Sequence, residues 1–97
     1  MKASYDSQAD TIQIVLQPID RLERDDTEVS GAIVGIRDGV PVMIDVIGTP
    51  TGMDRRLRVV AERHDLDSEA LSASAHACLA APDRVLTLVV GLRTSLE

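Results

Sequence analysis

Two aspartates, Asp6 and Asp10, bracket a polar turn, Ser7-Gln8-Ala9, just before the alternating run Thr11-Ile12-Gln13-Ile14-Val15-Leu16. Two carboxylates in one turn could hold a divalent cation, which wants several hard oxygen ligands. A calcium loop supplies acidic or amide oxygens at alternate positions, and Ser7, Gln8 and Ala9 do not continue that pattern. Aspartates at a turn also accept hydrogen bonds from their own loop backbone. Turn chemistry is therefore the expectation for this pair.

His64, His76 and Cys78 are the other residues with metal or nucleophile chemistry. His76 and Cys78 stand two apart on an expected helix and point to different faces, whereas convergence needs a spacing of three or four. Zinc wants four ligands, and there is no C-x-x-C or H-x-x-x-H. Cys78 falls on an apolar stripe and reads as a small buried hydrophobe. His64, at the end of a helix, can interact with the C-terminal dipole. Neither a metal nor a cofactor is expected.

Asp45 interrupts the apolar strand between Ile44 and Val46, on a face shared with Met43 and Val34. A carboxylate in such a place can have a raised pKa, as a general base requires. A half-exposed face, or a pairing with arginine, is the expected explanation. Asp45 is thus a ligand or catalytic candidate beside which spacing fixes no second residue. Arg55, Arg56, Arg58 and Arg63 form the basic cluster of an acidic chain. Two consecutive helices with a short link raise a helix-turn-helix reading. The second helix carries no Arg, Lys, Asn or Gln with which to read bases, so specific DNA binding is disfavoured. Gly48-x-x-x-Gly52 lacks the Lys-Ser/Thr of a phosphate loop, and no Gly-x-Ser-x-Gly is present.

The elements that would position these residues follow from periodicity. Lys2 to Asp6 and Thr11 to Gln17 read as strands, the second alternating Ile12, Ile14 and Leu16 with Gln13 and Gln17. Residues 18–27 break the pattern and read as a solvated loop. It opens an acidic patch: Asp20, Glu23, Asp25, Asp26 and Glu28. Glu28 to Arg37 and Val40 to Ile47 flank Asp38-Gly39, a strong type I′ hairpin signal. That turn implies Gly35 facing Val42, Ile33 facing Ile44 and Gly31 facing Val46, with Ile33, Val42, Ile44 and Val46 as the core face. Gly31 and Gly35 would let a helix approach the sheet closely. Pro41 implies that the outer side of its strand is unpaired nearby.

Beyond the loop 48–52 the period becomes helical, with Leu57, Val60, Ala61 and His64 on one stripe and Asp54 as N-cap. Asp67 caps a second helix whose stripe is Leu71, Ala75, Cys78 and Leu79, ended by Pro82. Val85 to Val90 reads as a final strand. The expected fold is α+β, an antiparallel sheet of about five strands with two helices packed on one face.

Ninety-seven residues make one domain. Tyr5 is the only aromatic residue, so the core must be aliphatic and base-stacking platforms are lacking. A formal net charge of −6 disfavours phosphate backbones and acidic membranes and favours a basic partner. Cys78 stands alone, which suggests a reducing, cytoplasmic setting. No apolar stretch reads as a signal peptide or a membrane span. Leu96-Glu97 could be a cloning remnant and is given no weight.

Tyr5-Asp6-x-x-Ala9-Asp10 with Ile12-x-Ile14-x-Leu16, followed by Asp38-Gly39 and Ile44-x-Val46, resembles the small bacterial family named domain of unknown function 2283. The resemblance covers roughly residues 1–50, a four-stranded family-like core; residues 53–97 add a helix–helix–strand extension. It implies a compact sheet fold without established catalytic residues. Some members are thought to be encoded beside small toxin-like proteins, which implies an antitoxin-like or regulatory role. The combined expectation is a non-catalytic interaction module, homodimeric because its sheet edges are open. It would bind a basic protein through Asp20, Glu23, Asp25, Asp26 and Glu28. The alternatives are a small-molecule binder or enzyme using Asp45, and a weak DNA binder using Arg55, Arg56 and Arg58.

Overall fold

The computed structural model describes residues 1–17, 25–48 and 52–88. Its elements are β1 (Lys2–Asp6), β2 (Thr11–Val15), β3 (Asp25–Val29), β4 (Ala32–Arg37), β5 (Val40–Ile47), α1 (Met53–His64), α2 (Ser68–Ala80) and β6 (Val85–Thr87). The six strands form one antiparallel sheet in the order β3-β4-β5-β2-β1-β6, with both helices on one face. This is the expected α+β fold, with six strands rather than five. The extra strand is β3. Asp25 to Val29 was expected to be split between loop and strand, yet Ser30-Gly31 makes a second tight turn with φ of 53° and 86°. The expected strand from Glu28 to Arg37 is thus a hairpin, and Gly31 lies in its turn rather than in a strand.

The Asp38-Gly39 turn is present, with φ of 55° and 76°. The register beyond it departs from expectation. Arg37 pairs with Val40 and Ile36 with Pro41, but Gly35 then pairs with Met43 because a bulge inserts one residue. A one-residue shift exchanges the faces. Val34 therefore meets Ile44 and both are fully buried, while Ile33 meets Asp45 on the other side. Pairing of β5 with β2 begins at Met43, beyond Pro41, as the missing N–H of proline suggested.

Two rows of side chains build the core under the helices. Val29, Ala32, Val46 and Ile12 lie in one register row, and Val34, Ile44, Ile14 and Ala3 in the next. Leu57 and Val60 of α1 and Leu71, Ala75 and Cys78 of α2 pack on them. α1 begins at Met53, so Asp54 lies inside its first turn rather than at the cap, which is Gly52 with φ 74°. The reason is burial: Met53 is taken into the core. Asp67 caps α2 as expected, accepting from the N–H groups of Glu69 at 3.1 Å and Ala70 at 3.3 Å. β6 is described as far as Thr87; the remainder of the strand expected to reach Val90 lies partly outside the described residues.

Candidate functional site

The helix-free face of the sheet gathers the acidic candidates. Register places Glu28, Ile33, Asp45, Gln13 and Ser4 in one row across five strands. Asp26, Gly35, Met43, Val15 and Lys2 form the neighbouring row. Asp45 and Glu28 are thus two strands apart on one face, roughly 10 Å by strand spacing. The sequence treated them as separate candidates; the bulge brings them to one surface. Asp20 and Glu23 lie outside the described residues. Asp25, Asp26 and Glu28 belong not to a loop but to β3, an edge strand in which positions 25–28 are all exposed. Asp26 and Glu28 share the helix-free face, and Asp25 is on the other.

Asp45 is half-buried, and its Oδ1 is shielded from solvent. Beside it Gln13 donates from Nε2 to the Met43 sulfur at 3.2 Å, and Met43 is itself buried. The surroundings are a carboxylate, an amide and apolar side chains. Val34, expected on this face with Met43, is instead in the core.

The Asp6–Asp10 turn carries turn chemistry. Asp6 Oδ1 accepts from the N–H groups of Gln8 at 3.0 Å and Ala9 at 3.1 Å, and the Tyr5 hydroxyl donates to Asp10 Oδ1 at 2.8 Å. Asp83 docks on the same turn, accepting from Ser7 N–H at 2.9 Å and Ser7 Oγ at 2.7 Å. Those two bonds, the backbone one foremost, hold the Asp83 carboxyl below the usual aspartate value. A shallow groove of about 320 Å³ runs here between Ser4–Asp6 and Asp83–Val85.

The basic cluster divides. Arg55, Arg58 and Arg63 are exposed on α1, but Arg56 turns inward and donates to the carbonyl oxygens of Ile47 at 2.7 Å and Gly48 at 2.9 Å. A structural tether occupies one of the three arginines expected on a phosphate backbone. His64 ends α1 with its Nε2 buried and without a hydrogen bond among the described residues. Cys78 is buried, its Sγ 3.2 Å from the Ala75 carbonyl, and burial pushes the thiol pKa up. That is the expected core role.

One constellation was not anticipated. Asp54 of α1 accepts from the Ser72 hydroxyl of α2 and lies 3.1 Å from His76 Nε2. The three residue types are those of a nucleophilic triad, but the order is wrong. In a triad the imidazole sits between carboxylate and hydroxyl, whereas here the carboxylate sits between the other two and His76 bonds Asp54 rather than the serine. The Ser72 hydroxyl, and after it His76 and Arg58, hold the Asp54 carboxyl below its usual value. The available signal was the helix pair itself: folding two antiparallel helices about the 65–67 link brings position 54 within a turn of 76.

No family model, curated protein or solved structure matches this chain. Among the described residues no helix is long and apolar enough to cross a membrane.

Proposed function

We propose that this chain is a non-catalytic interaction module, antitoxin-like or regulatory, that binds a basic protein partner through its acidic edge. The observation that supports the reading is β3. It stands at the edge of the sheet, and Asp25, Asp26, Thr27 and Glu28 are all exposed. Edge strands are natural templates for an added chain, and carboxylates along this one repel acidic chains while attracting basic ones. The net charge of −6 has the same sign. Asp20 and Glu23 extend the acidic set in sequence. The homodimer belongs to the same reading, formed through an open edge, and the lone Cys78 suits a cytoplasmic setting.

The test is charge reversal. The wild-type chain is used to capture its partner from lysate of the native host at low salt. A variant carrying Asp25→Lys, Asp26→Lys and Glu28→Lys is then compared at unchanged far-UV circular dichroism. A stoichiometric basic protein retained by the wild type and lost from the variant supports the reading; equal retention by both overturns it.

The shielded Oδ1 of Asp45 favours a second reading, a small-molecule site on the helix-free face. Its test is a screen for ligands that raise the melting temperature. A shift that survives Asp45→Asn excludes that residue.

A further inference from the structure

Resting on the acidic-edge reading above, we propose that the basic partner joins the sheet as an added antiparallel strand along β3, with lysine or arginine at alternate positions opposite Asp26 and Glu28. The register decides which groups β3 offers. Val29 and Ala32 face each other across the two-residue Ser30-Gly31 turn. The pair that closes such a turn exchanges both backbone hydrogen bonds, and pairs of that kind alternate along the ladder with pairs that exchange none. Thr27, opposite Val34, is the next bonded position. Glu28, opposite Ile33, and Asp26, opposite Gly35, are the positions that do not bond to β4. Their backbone N–H and C=O groups therefore turn toward the outer side of the sheet. Among the described residues no strand lies on that side.

The same two residues carry the charge. Asp26 and Glu28 stand two positions apart, so both side chains rise from the helix-free face, roughly 7 Å from one another. Both residues are exposed. An antiparallel strand would exchange two backbone hydrogen bonds with each of them, about four in all. It would also set one of its own residues directly across from each, on the same face. A lysine or arginine at these two positions meets a carboxylate, and the residue between them falls on the opposite face beside Thr27. The pattern that fits is base–x–base in an extended segment. A contiguous basic run puts half of its charges on the wrong face.

The edge is preformed and selective. Val29 is buried in the core cluster and the turn follows directly, so little ordering of β3 remains for binding to supply. A second copy of β3 laid antiparallel on this edge would bring carboxylates against carboxylates, and like charges directly opposite destabilise. The charges that guard the edge against self-pairing are the ones that favour a strand of opposite sign. The net charge of −6 acts in the same direction at longer range.

The experiment titrates the full chain at low salt with a short fluorescein-labelled peptide that alternates lysine with valine, read by anisotropy. One control peptide groups the same lysines in a block. A second keeps the alternation but is N-methylated at the lysine backbone nitrogens, which would face β3. The alternating peptide is expected to bind roughly tenfold or more tightly than either control. In the protein, Glu28→Gln removes the charge alone, whereas Glu28→Pro also removes the outward N–H, a change that an edge strand tolerates. Glu28→Pro is expected to bind roughly tenfold more weakly than Glu28→Gln, with circular dichroism unchanged. Should Glu28→Pro lose its circular dichroism, the N-methylated peptide decides. Equal binding of the alternating and blocked peptides overturns strand addition, as does indifference to N-methylation. Either result leaves the acidic-edge reading standing if binding is lost from the variant carrying Asp25→Lys, Asp26→Lys and Glu28→Lys. Binding that survives in that variant overturns both. Failure of the alternating peptide to bind the wild type overturns the proposal as well.

Discussion

The Arg56 guanidinium donates from Nη1 to the Ile47 carbonyl at 2.7 Å, so the first helix is tied directly to the end of strand β5. A second bond to Gly48 at 2.9 Å makes the contact two-pronged, a geometry that suits arginine and not lysine. Both Arg56→Ala and Arg56→Lys are therefore expected to destabilise the fold. Charged hydrogen bonds contribute roughly 1.5–3 kcal/mol each, and partial solvent access lowers that to about 1–2 kcal/mol for the residue as a whole. Arg55→Ala, at an exposed neighbouring position, is expected to stay within about 0.5 kcal/mol of wild type. Urea melts of the three variants make the comparison, and equal midpoints for Arg55→Ala and Arg56→Ala would refute the tether.

The same side chain covers the β3–β4 turn. Gly31 has φ +86°, and a Cβ placed there would stand 3.3 Å from Arg56 Cδ. Gly31→Ala is expected to cost about 1–2 kcal/mol from the left-handed backbone alone, with crowding in addition. Ser30→Asn is expected to be neutral or stabilising by a few tenths of a kcal/mol, because Asn-Gly is the preferred pair for this turn. Gly31→Ala combined with Arg56→Ala should depart from additivity by roughly 0.5 kcal/mol or more, since the second change removes the atom that the first would crowd. Strict additivity in chemical melts would show that Arg56 does not pack on the turn.

What the sequence made legible was local. Asp38-Gly39, the Asp67 cap, the Asp6 turn and the Cys78 stripe each depend on a few consecutive residues, and each stands where periodicity and turn chemistry placed it. The errors arose where one residue changes everything after it. The bulge between Gly35 and Ile36 is marked by an isolated strand glycine, with Pro41 across from Ile36, a pattern that also fits a close helix approach, and it sends Val34 to the core and Ile33 to the opposite face. The Ser30-Gly31 turn carried a mark too, a Ser-Gly pair, but strand-forming residues on both sides concealed it. That turn is also what moves Asp25, Asp26 and Glu28 from a loop onto an edge strand. The Asp54–His76 pair depends on contact between helices, which spacing within either helix cannot report.

Cys78 offers a probe of opening. The thiol is buried in the core cluster, and burial raises its pKa, so both access and thiolate fraction are low in the folded state. Alkylation by iodoacetamide is expected to be slower in the native protein than in urea by on the order of 100-fold or more, set by the opening equilibrium. Adding urea below the unfolding midpoint should accelerate it in step with the unfolded fraction. Labelling at the unfolded rate in buffer would place the thiol at the surface. Cys78→Ser is expected to cost about 1–3 kcal/mol for burying a hydroxyl. The low end of that range follows if the new hydroxyl donates to the Ala75 carbonyl, where the sulfur already points.

Asp54 and Asp83 should shape the acid limb of stability. Both carboxyls lie below the ordinary aspartate value of 3.8 in the folded chain, through Ser72 at Asp54 and through Ser7 at Asp83. A lowered folded value means that the folded state binds the proton less readily than the unfolded chain does. The contribution is therefore fully present above the ordinary value and is lost as pH falls through the folded one. Asp83→Asn and Asp54→Asn are expected to melt below wild type near neutral pH, by small amounts because both sites are exposed. The three curves should converge once the pH falls below the lowered folded-state values and the wild-type carboxyls are protonated. Thermal melts at half-unit steps of pH through the acid range give the comparison. A gap that stays constant down to the lowest pH would mean that the substitutions act through packing. It would then follow that the Ser7 and Ser72 hydrogen bonds do not discriminate between the charged and the protonated acid.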